Sequence, residues 1–168
     1  DDAATPGAIT LVAAMLDEGT KKRSALEISD EARAISANLA TGSSFDGSFI
    51  RMNVLKKSLN AGLGLMADVA LNPVFSAEEL ERQREHYLGQ MQQSELDPSA
   101  RSRRALMTAI FGEDHPYGRL MWQPVRGGAL YYGHGTAASV SDLSRDDLVS
   151  TYETYYRPNN AALVFVGD

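Results

Sequence analysis

The sequence predicts an α+β domain built from an antiparallel sheet with helices packed on one face. The main observation is the order of the elements, because segments with helical spacing of apolar residues come in groups and do not alternate singly with strands. A regular alternation would instead favour a doubly wound parallel sheet. The chain of 168 residues, 43% hydrophobic and 23% charged, fits a single domain over 1–168 with a core of ordinary size.

Two helices are predicted at the beginning of the chain. Thr5-Pro6 is typical of a helix start, with an N-cap residue followed by proline in the first turn. Apolar residues then recur at helical spacing: Ile9, Val12, Ala13 and Leu16. This first helix is mostly apolar, so we expect it to be buried. Ser24 and Glu27 have the spacing of a capping box, which predicts a second, amphipathic helix over 25–39.

A β-hairpin and a third helix are predicted next. Residues 40–56 are small, polar and β-branched, with loosely alternating apolar residues, and this pattern indicates two strands that turn near Asp46-Gly47. The helical spacing of apolar residues then predicts a helix over 60–71. Pro73 ends that helix, because the residue before a proline disfavours the helical conformation.

A long charged helix is predicted after Ser76, which has the capping-box spacing with Glu79. Its large apolar residues fall on one side: Leu80, Tyr87, Leu88 and Met91. Pro98 separates this helix from another one over 100–111.

The last third of the chain is predicted to contain less regular structure. Residues 112–140 are rich in glycine, tyrosine and proline, which indicates a long loop. Ser144, with two aspartates in the following turn, predicts a last helix that ends at about Tyr155. The closing residues AALVFVGD, 161–168, predict a strand.

The composition excludes several classes of function. A net charge of −6 argues against nucleic-acid binding, because the densest basic cluster, Arg101, Arg103 and Arg104, is small. The apolar stretches are far shorter than the ~20 residues that a membrane-spanning helix needs, so no membrane segment is predicted and we expect a soluble chain. The chain has no cysteine, which excludes disulfides, thiolate catalysis and cysteine-based zinc sites.

Five segments of the sequence together resemble one protein family. They are GAITLVAAMLDEGT, KRSALEISDE, LNPVFSAEELERQRE, HPYG and YYRPNNAALVFVGD. Their order and spacing are similar to those of the pitrilysin/insulinase-like zinc metallopeptidases, the inverzincins, over nearly the whole chain, 7–168. The resemblance implies the LuxS-like metallopeptidase fold of that family. Strands that precede position 7 in family members are not seen here, so we expect the chain to be a domain fragment truncated at its N-terminal strands.

The resemblance also locates a degenerate metal site. In active members the first helix resembles G-x-x-H-x-x-E-H-M-L-x-x-G-T, in which two histidines bind zinc and the glutamate is the general base. This chain has Thr10, Ala13 and Ala14 at those positions, and the place of the third ligand, a glutamate on a later helix, falls on Gln90. Hydroxyl, methyl and neutral amide groups do not replace the imidazole and carboxylate ligands of zinc. No catalytic or metal-binding residue is therefore predicted in this chain.

The resemblance implies a duplicated structure with two homologous halves, one catalytic and one not. It also implies that this chain is the non-catalytic half. Such a half encloses and contacts the peptide substrate. A homologous half with the HxxEH motif, in the same chain or in a partner subunit, binds zinc and performs the hydrolysis. The alternative is a structural or assembly protein that keeps the fold without any proteolytic role. The compartment is left open between the periplasm and the cytoplasm of a bacterium.

The remaining candidate residues are interpreted as structural. The histidines lie on separate predicted elements, so no histidine metal site is predicted: His86, His115 and His134. Four glutamates near the start of the long helix are interleaved with arginines and indicate an ion-paired solvent face: Glu78, Glu79, Glu81 and Glu85. Three aromatic residues of the 112–140 loop fit either an interface or packing within the loop: Trp122, Tyr131 and Tyr132.

Overall fold

The computed structural model of the protein describes residues 5–44, 46–113, 115–119, 121–124, 130–133 and 135–167. The helices are α1 (Ala8–Met15), α2 (Ala25–Ala34), α3 (Leu59–Leu71), α4 (Ala77–Leu96), α5 (Pro98–Phe111), α6 (Ala137–Asp142) and α7 (Arg145–Tyr155). The strands are β1 (Asn38–Ser43), β2 (Ser48–Asn53), β3 (Met121–Pro124) and β4 (Leu130–Gly133). Short 3-10 turns cover Lys56–Ser58, Pro116–Arg119 and Pro158–Asn160. The prediction of an α+β fold is confirmed.

Helix α1 begins later than the sequence indicates, and the predicted N-cap at Thr5 is wrong. The residue before α1 is Gly7, whose φ of 100° lies in the left-handed region that glycine adopts without strain. Thr5 contributes its carbonyl oxygen, which accepts a hydrogen bond from the amide of Ala8 at 3.1 Å. Most side chains of α1 are buried, as predicted: Ala8, Leu11, Val12, Ala13 and Met15.

The predicted capping box of α2 is confirmed. The amide of Glu27 donates to Oγ of Ser24 at 3.3 Å, and the Glu27 carboxylate accepts from the amide of Ser24 at 2.8 Å. The helix ends at Ala34 instead of near position 39. Ser36 adopts a φ of 53°, which stops the helical backbone and turns the chain into β1 at Asn38.

The predicted hairpin forms between β1 and β2. The two strands pair antiparallel, from Asn38 opposite Asn53 to Ser43 opposite Ser48. The amide of Ser44 closes the turn by donating to the carbonyl of Gly47 at 2.6 Å. Both strands pack against α1, so the hairpin covers one side of this buried helix.

The second predicted capping box, at the start of α4, is only half formed. Oγ of Ser76 accepts from the amide of Glu79 at 3.3 Å. The carboxylate of Glu79 accepts from Nε of Arg82 at 2.6 Å instead of returning to the cap, because the arginine offers a charged donor on the same face of the helix. Helix α5 starts at Pro98, earlier than predicted, since the side chain of Asp97 caps its first turn.

The prediction of a long loop over 112–140 is wrong. This segment contains the antiparallel pair β3–β4, in which Met121 lies opposite Gly133, and helix α6. The side chains of Thr136 and Ser139 form a capping box that starts α6. The predicted cap of α7 is confirmed, with Ser144 and Asp147 in the same reciprocal arrangement.

The prediction of a strand over 161–168 is also wrong. Residues 161–167 lie outside any strand. Four consecutive apolar side chains are exposed by 61 to 95%: Leu163, Val164, Phe165 and Val166. A strand needs a hydrogen-bonded neighbour, and among the described residues no strand pairs with this segment. Strand-like composition alone therefore did not produce a strand.

The hydrophobic core surrounds α1. This helix contacts α4, α7, β1 and β2. The largest side chains that are almost fully buried are Leu11, Val12, Met15, Leu16, Val69, Val140 and Leu148. No helix among the described residues is both long and apolar enough to cross a bilayer.

A buried carboxylate links α3 to the loop that follows α1. Asp68 is 6% exposed and accepts hydrogen bonds from Oγ1 of Thr20 at 2.7 Å, Nη1 of Arg23 at 2.6 Å and Nδ2 of Asn72 at 2.9 Å. Burial by itself raises the pKa of Asp68, but these three hydrogen bonds and the guanidinium charge outweigh it, so the net pKa is lowered. Asp68 is therefore a charged carboxylate that accepts three hydrogen bonds in a buried position.

A buried arginine links α4 to the end of α6. Arg84 is 8% exposed, and its guanidinium donates to the carbonyl oxygens of Val140, Ser141 and Leu143. The last carbonyls of a helix lack partners within the helix, and a cation is favourable at that end. Arg84 thus supplies the C-terminal cap that the short sequence of α6 does not contain.

Candidate functional site

The four positions of the predicted degenerate metal site lie on α1 and α4, two helices that pack together. Thr10 is half-buried, and its Oγ1 accepts from Oγ of Ser43 on β1 at 3.5 Å. The hydroxyl of Tyr87 on α4 is also hydrogen-bonded to the Thr10 side chain. Position 10 therefore faces both the hairpin and α4, and it is the centre of a small cluster of hydroxyl groups.

Ala13 and Ala14 differ in their environment. Ala13 is 0% exposed and lies inside the core, whereas Ala14 is half-buried. Each offers only a methyl group, so neither can bind a metal or transfer a proton. The position at which the family pattern has its general base is the more deeply buried of the two.

Gln90 is half-buried on α4, one helical turn beyond Tyr87. Its Nε2 lies 2.7 Å from Nε2 of His86, which lies four residues earlier on the same face of α4. The amide of Gln90 is therefore engaged with a neighbour on its own helix. Tyr87 and Met91, which flank Gln90 along α4, are buried, as the sequence predicts for the inner side of this helix.

The residues at these positions do not fit zinc. Tetrahedral zinc sites use histidine nitrogens, cysteine sulfurs and carboxylate oxygens, while Thr10, the two alanines and Gln90 offer one hydroxyl and one neutral amide. Burial raises the pKa of Tyr87 above its ordinary value, and the bond with Thr10 offsets this only in part, so the phenol is a neutral partner. Over the described ranges, no group of three or more histidine, aspartate and glutamate side chains is arranged to hold a metal ion.

Sequence reasoning missed two members of this cluster, Ser43 and Tyr87. The apolar spacing predicts Tyr87 only for the inner side of the helix, although its position one turn before Gln90 is a usable local signal. Ser43 comes close to Thr10 through the packing of β1 on α1, and no pattern in the linear sequence indicates such a contact. The assignment of the four degenerate positions stays a prediction.

The other candidate residues lie apart from this cluster. The rings of Phe111, His115 and Tyr117 pack together with centroids 5.2 to 5.4 Å apart, and the Tyr117 hydroxyl donates to Asp46 in the β1–β2 turn. His134 lies outside the described residues, and the side chains of Trp122, Tyr131 and Tyr132 are outside the described part of the chain. The glutamates at the start of α4 pair with arginines at two places, Glu79 with Arg82 and Glu81 with Arg84.

Comparison with known proteins decides the family. The family model described as Insulinase (Peptidase family M16) matches residues 1–124. The chain belongs to peptidase family M16. This result confirms the resemblance that the five sequence segments indicate.

Relatives of this M16 chain include proteins named as zinc proteases and a subunit of a mitochondrial-processing peptidase. It is 29% identical to an uncharacterized zinc protease of Mycobacterium bovis, over 100% of this chain and 36% of the relative. It is 26% identical to the human mitochondrial-processing peptidase subunit beta, over 91% of this chain and 29% of the relative. The chain thus spans about a third of the length of these relatives.

The fold of this M16 chain is similar to that of a solved structure from Pseudomonas fluorescens, described as a peptidase M16 inactive domain. The TM-score is 0.74, with 23% sequence identity over 89% of this chain and 34% of that structure. A similarity at this level of identity concerns the fold. It agrees with the α+β architecture, in which the antiparallel hairpin β1–β2 packs against α1.

Proposed function

We propose that this chain is a non-catalytic domain of a zinc metalloendopeptidase. It encloses and contacts the peptide substrate, while a separate homologous half with the HxxEH motif holds the zinc and performs the hydrolysis. The observation that carries the proposal is the donor set at the place of the metal helix. Thr10, Ala13, Ala14 and Gln90 supply neither the zinc ligands nor the general base that hydrolysis of a peptide bond by this family requires.

The surroundings of these positions support the same interpretation. The enclosure of Ala13, and the hydrogen bonds of Thr10 with Ser43 and Tyr87, make the α1–α4 contact a well-packed part of the fold. The relatives named zinc proteases support zinc chemistry elsewhere in the parent protein, and the fold neighbour described as an inactive domain supports a non-catalytic role for this one. The partner is expected in the same polypeptide or in a partner subunit.

The test is reconstitution with an HxxEH-bearing homologous half encoded in the same gene or in a neighbouring gene. Cleavage of a quenched fluorescent peptide and the zinc content are measured for each half and for the mixture. We expect strong cleavage only in the mixture, and we expect all the zinc to remain with the HxxEH half. The control replaces the general-base glutamate of that half with glutamine, which should abolish cleavage while both halves still associate.

Two outcomes would contradict the proposal. Stoichiometric zinc in the present chain would overturn the assignment of the degenerate positions. Full activity of the HxxEH half alone, unchanged by addition of this chain, would favour a structural or assembly role without proteolysis.

A further inference from the structure

A surface cleft lies between α2, the start of β1 and the turn that follows α1. Its volume is about 360 Å³, within the range of small-ligand clefts, which is roughly 300–1,000 Å³. The apolar part of its lining consists of Ile28, Ala32, Ala37 and Leu39, and its ionisable part includes Asp17 and Glu18. Ile28 and Ala32 are buried in the hydrophobic core, so the apolar surface that a ligand can reach comes mainly from the half-buried Ala37 and Leu39. The cleft therefore combines a small apolar wall with polar groups and carboxylates.

The carboxylate of Asp17 is only partly compensated. Its hydrogen bonds come from Oγ1 of Thr41, at 2.9 Å, and from its own backbone. Burial raises the pKa of Asp17 above its ordinary value, and these two hydrogen bonds do not restore it. An opposite charge placed beside a partly buried carboxylate favours its charged form.

The other charged groups of the cleft already have partners. Glu18 accepts hydrogen bonds from Arg82 and Gln83 on α4. Arg33, which also lines the cleft, donates to Asp30 and Ser29 on its own helix. Asp17 is consequently the carboxylate in this lining that a bound cation would best complement.

The end of α1 adds to the negative potential at this place. The helix ends at Met15 with no basic residue in its last turn, and Asp17 follows the C-cap residue Leu16. A helix C-terminus carries a partial negative charge that favours cations and disfavours anions. The helix end and the carboxylate therefore act in the same direction on a ligand in the cleft.

We propose that this cleft is a binding site for the side chain of a lysine or arginine residue of a peptide. The methylene groups of the side chain pack against the apolar wall, and the ammonium or guanidinium group pairs with Asp17. Both residue types join an apolar stem to a cationic end, and the lining offers the complement of each part. This proposal is supported by the lining of the cleft alone and does not depend on the proposed role in proteolysis.

The test is titration of the ¹⁵N-labelled chain with N-acetyl-lysine methylamide, followed by NMR chemical shifts. We expect saturable shifts of the amides that line the cleft, and at least tenfold weaker binding by the Asp17→Asn variant. Ala25→Trp, which places a large ring in the lining, should abolish the shifts by filling the cleft. N-acetyl-norleucine methylamide, which keeps all four carbons of the stem and lacks only the ammonium group, should bind at least tenfold more weakly than the lysine probe.

The matched control is Glu85→Gln, which removes one negative charge from an exposed position on α4. It should leave the affinity for the lysine probe unchanged. Equal binding of the lysine and norleucine probes, an equal loss in Glu85→Gln and Asp17→Asn, or the absence of saturable shifts at the cleft would each overturn the proposal.

Discussion

Residue 13 is an alanine at the centre of the core, and its size matters as much as its lack of charge. Its methyl group is fully enclosed. At an enclosed helical position a longer side chain displaces its neighbours, and a charged one also loses its hydration. The alanine found there is thus well suited to packing and unsuited to the general-base role of the family pattern.

We expect Ala13→Glu to lower the free energy of unfolding by at least about 3 kcal/mol, because it buries an unpaired carboxylate. Urea unfolding followed by circular dichroism measures the change. The matched control is Ala67→Glu, the same substitution at an exposed position of α3, which should change stability by no more than about 0.5 kcal/mol. Equal effects in the two variants would show that water reaches position 13.

The Asp68 cluster gives a second prediction at this scale. Asp68→Asn should destabilise the fold by about 3 kcal/mol, because it removes the charge that pairs with Arg23 in a buried site. Asp30→Asn, which removes an exposed carboxylate paired with Arg33, is the control and should cost at most about 1 kcal/mol. A similar cost for both variants would contradict a special role for the buried carboxylate.

The stability difference between the wild type and Asp68→Asn should depend on pH in a definite direction. The pKa of Asp68 is lowered in the folded state, so its contribution is present above the ordinary value of 3.8 and is lost as the pH falls through the folded pKa. The stability difference between the wild type and Asp68→Asn should stay constant from neutral pH to about pH 5 and shrink below pH ~4. A difference that grows on acidification would refute the lowered pKa.

At the scale of elements, α1 and α4 present three accessible positions around one buried one. Thr10, Ala14 and Gln90 are half-buried, while Ala13 is enclosed. We therefore expect the triple variant Thr10→His, Ala14→His, Gln90→Glu to bind one zinc ion, since these residue types form the ligand set of the family. Metal analysis after dialysis measures the stoichiometry. Retention of zinc by the unmodified chain, or its absence from the triple variant, would show that the two helices are not aligned as assigned.

The C-terminal end of α6 is capped by an arginine of α4, in addition to the packing of Val140 in the core. Arg84→Met should destabilise the fold by about 3 kcal/mol and speed amide exchange over 137–143, because three carbonyl oxygens lose a charged donor. Arg82→Met is the control, as its side chain is 56% exposed, and it should cost at most about 1 kcal/mol. Unchanged exchange at α6 in Arg84→Met would contradict the capping role.

The elements that could be predicted are those with local signals. The caps at Ser24 and Ser144 need only the next turn of chain, and both formed as expected. The strand expected at 161–168 failed, because a strand depends on a neighbour that the local sequence does not specify. The candidate site divides in the same way: the pattern around Thr10 places the helix, while the contact with Ser43 arises only when β1 packs on α1.

The whole molecule exposes a continuous apolar segment outside its core. Leu163 to Val166 expose four large apolar side chains, and no strand among the described residues pairs with their backbone, a combination that favours association with another chain. We expect the isolated 18.2 kDa chain to self-associate in light scattering across a concentration series. The double variant Val164→Lys, Val166→Lys should shift the chain towards the monomer.

The control for this prediction changes exposed leucines elsewhere. Leu26 and Leu71 are 67% and 66% exposed, so Leu26→Lys, Leu71→Lys adds the same charge without touching the segment. It should leave the association unchanged. A monomer at every concentration, or an equal response of both double variants, would show that residues 163–166 do not drive association.

The enclosure of Ala13 also restricts the routes by which such a sequence can change over generations. Positions 10, 14 and 90 are only half-buried, so a single substitution at any of them meets fewer neighbours than one at position 13. A glutamate at position 13 is tolerated only after its neighbours have made space and supplied a partner for its charge. Among the four assigned positions, position 13 is therefore the one at which we expect a larger side chain to depend on earlier changes elsewhere in the core.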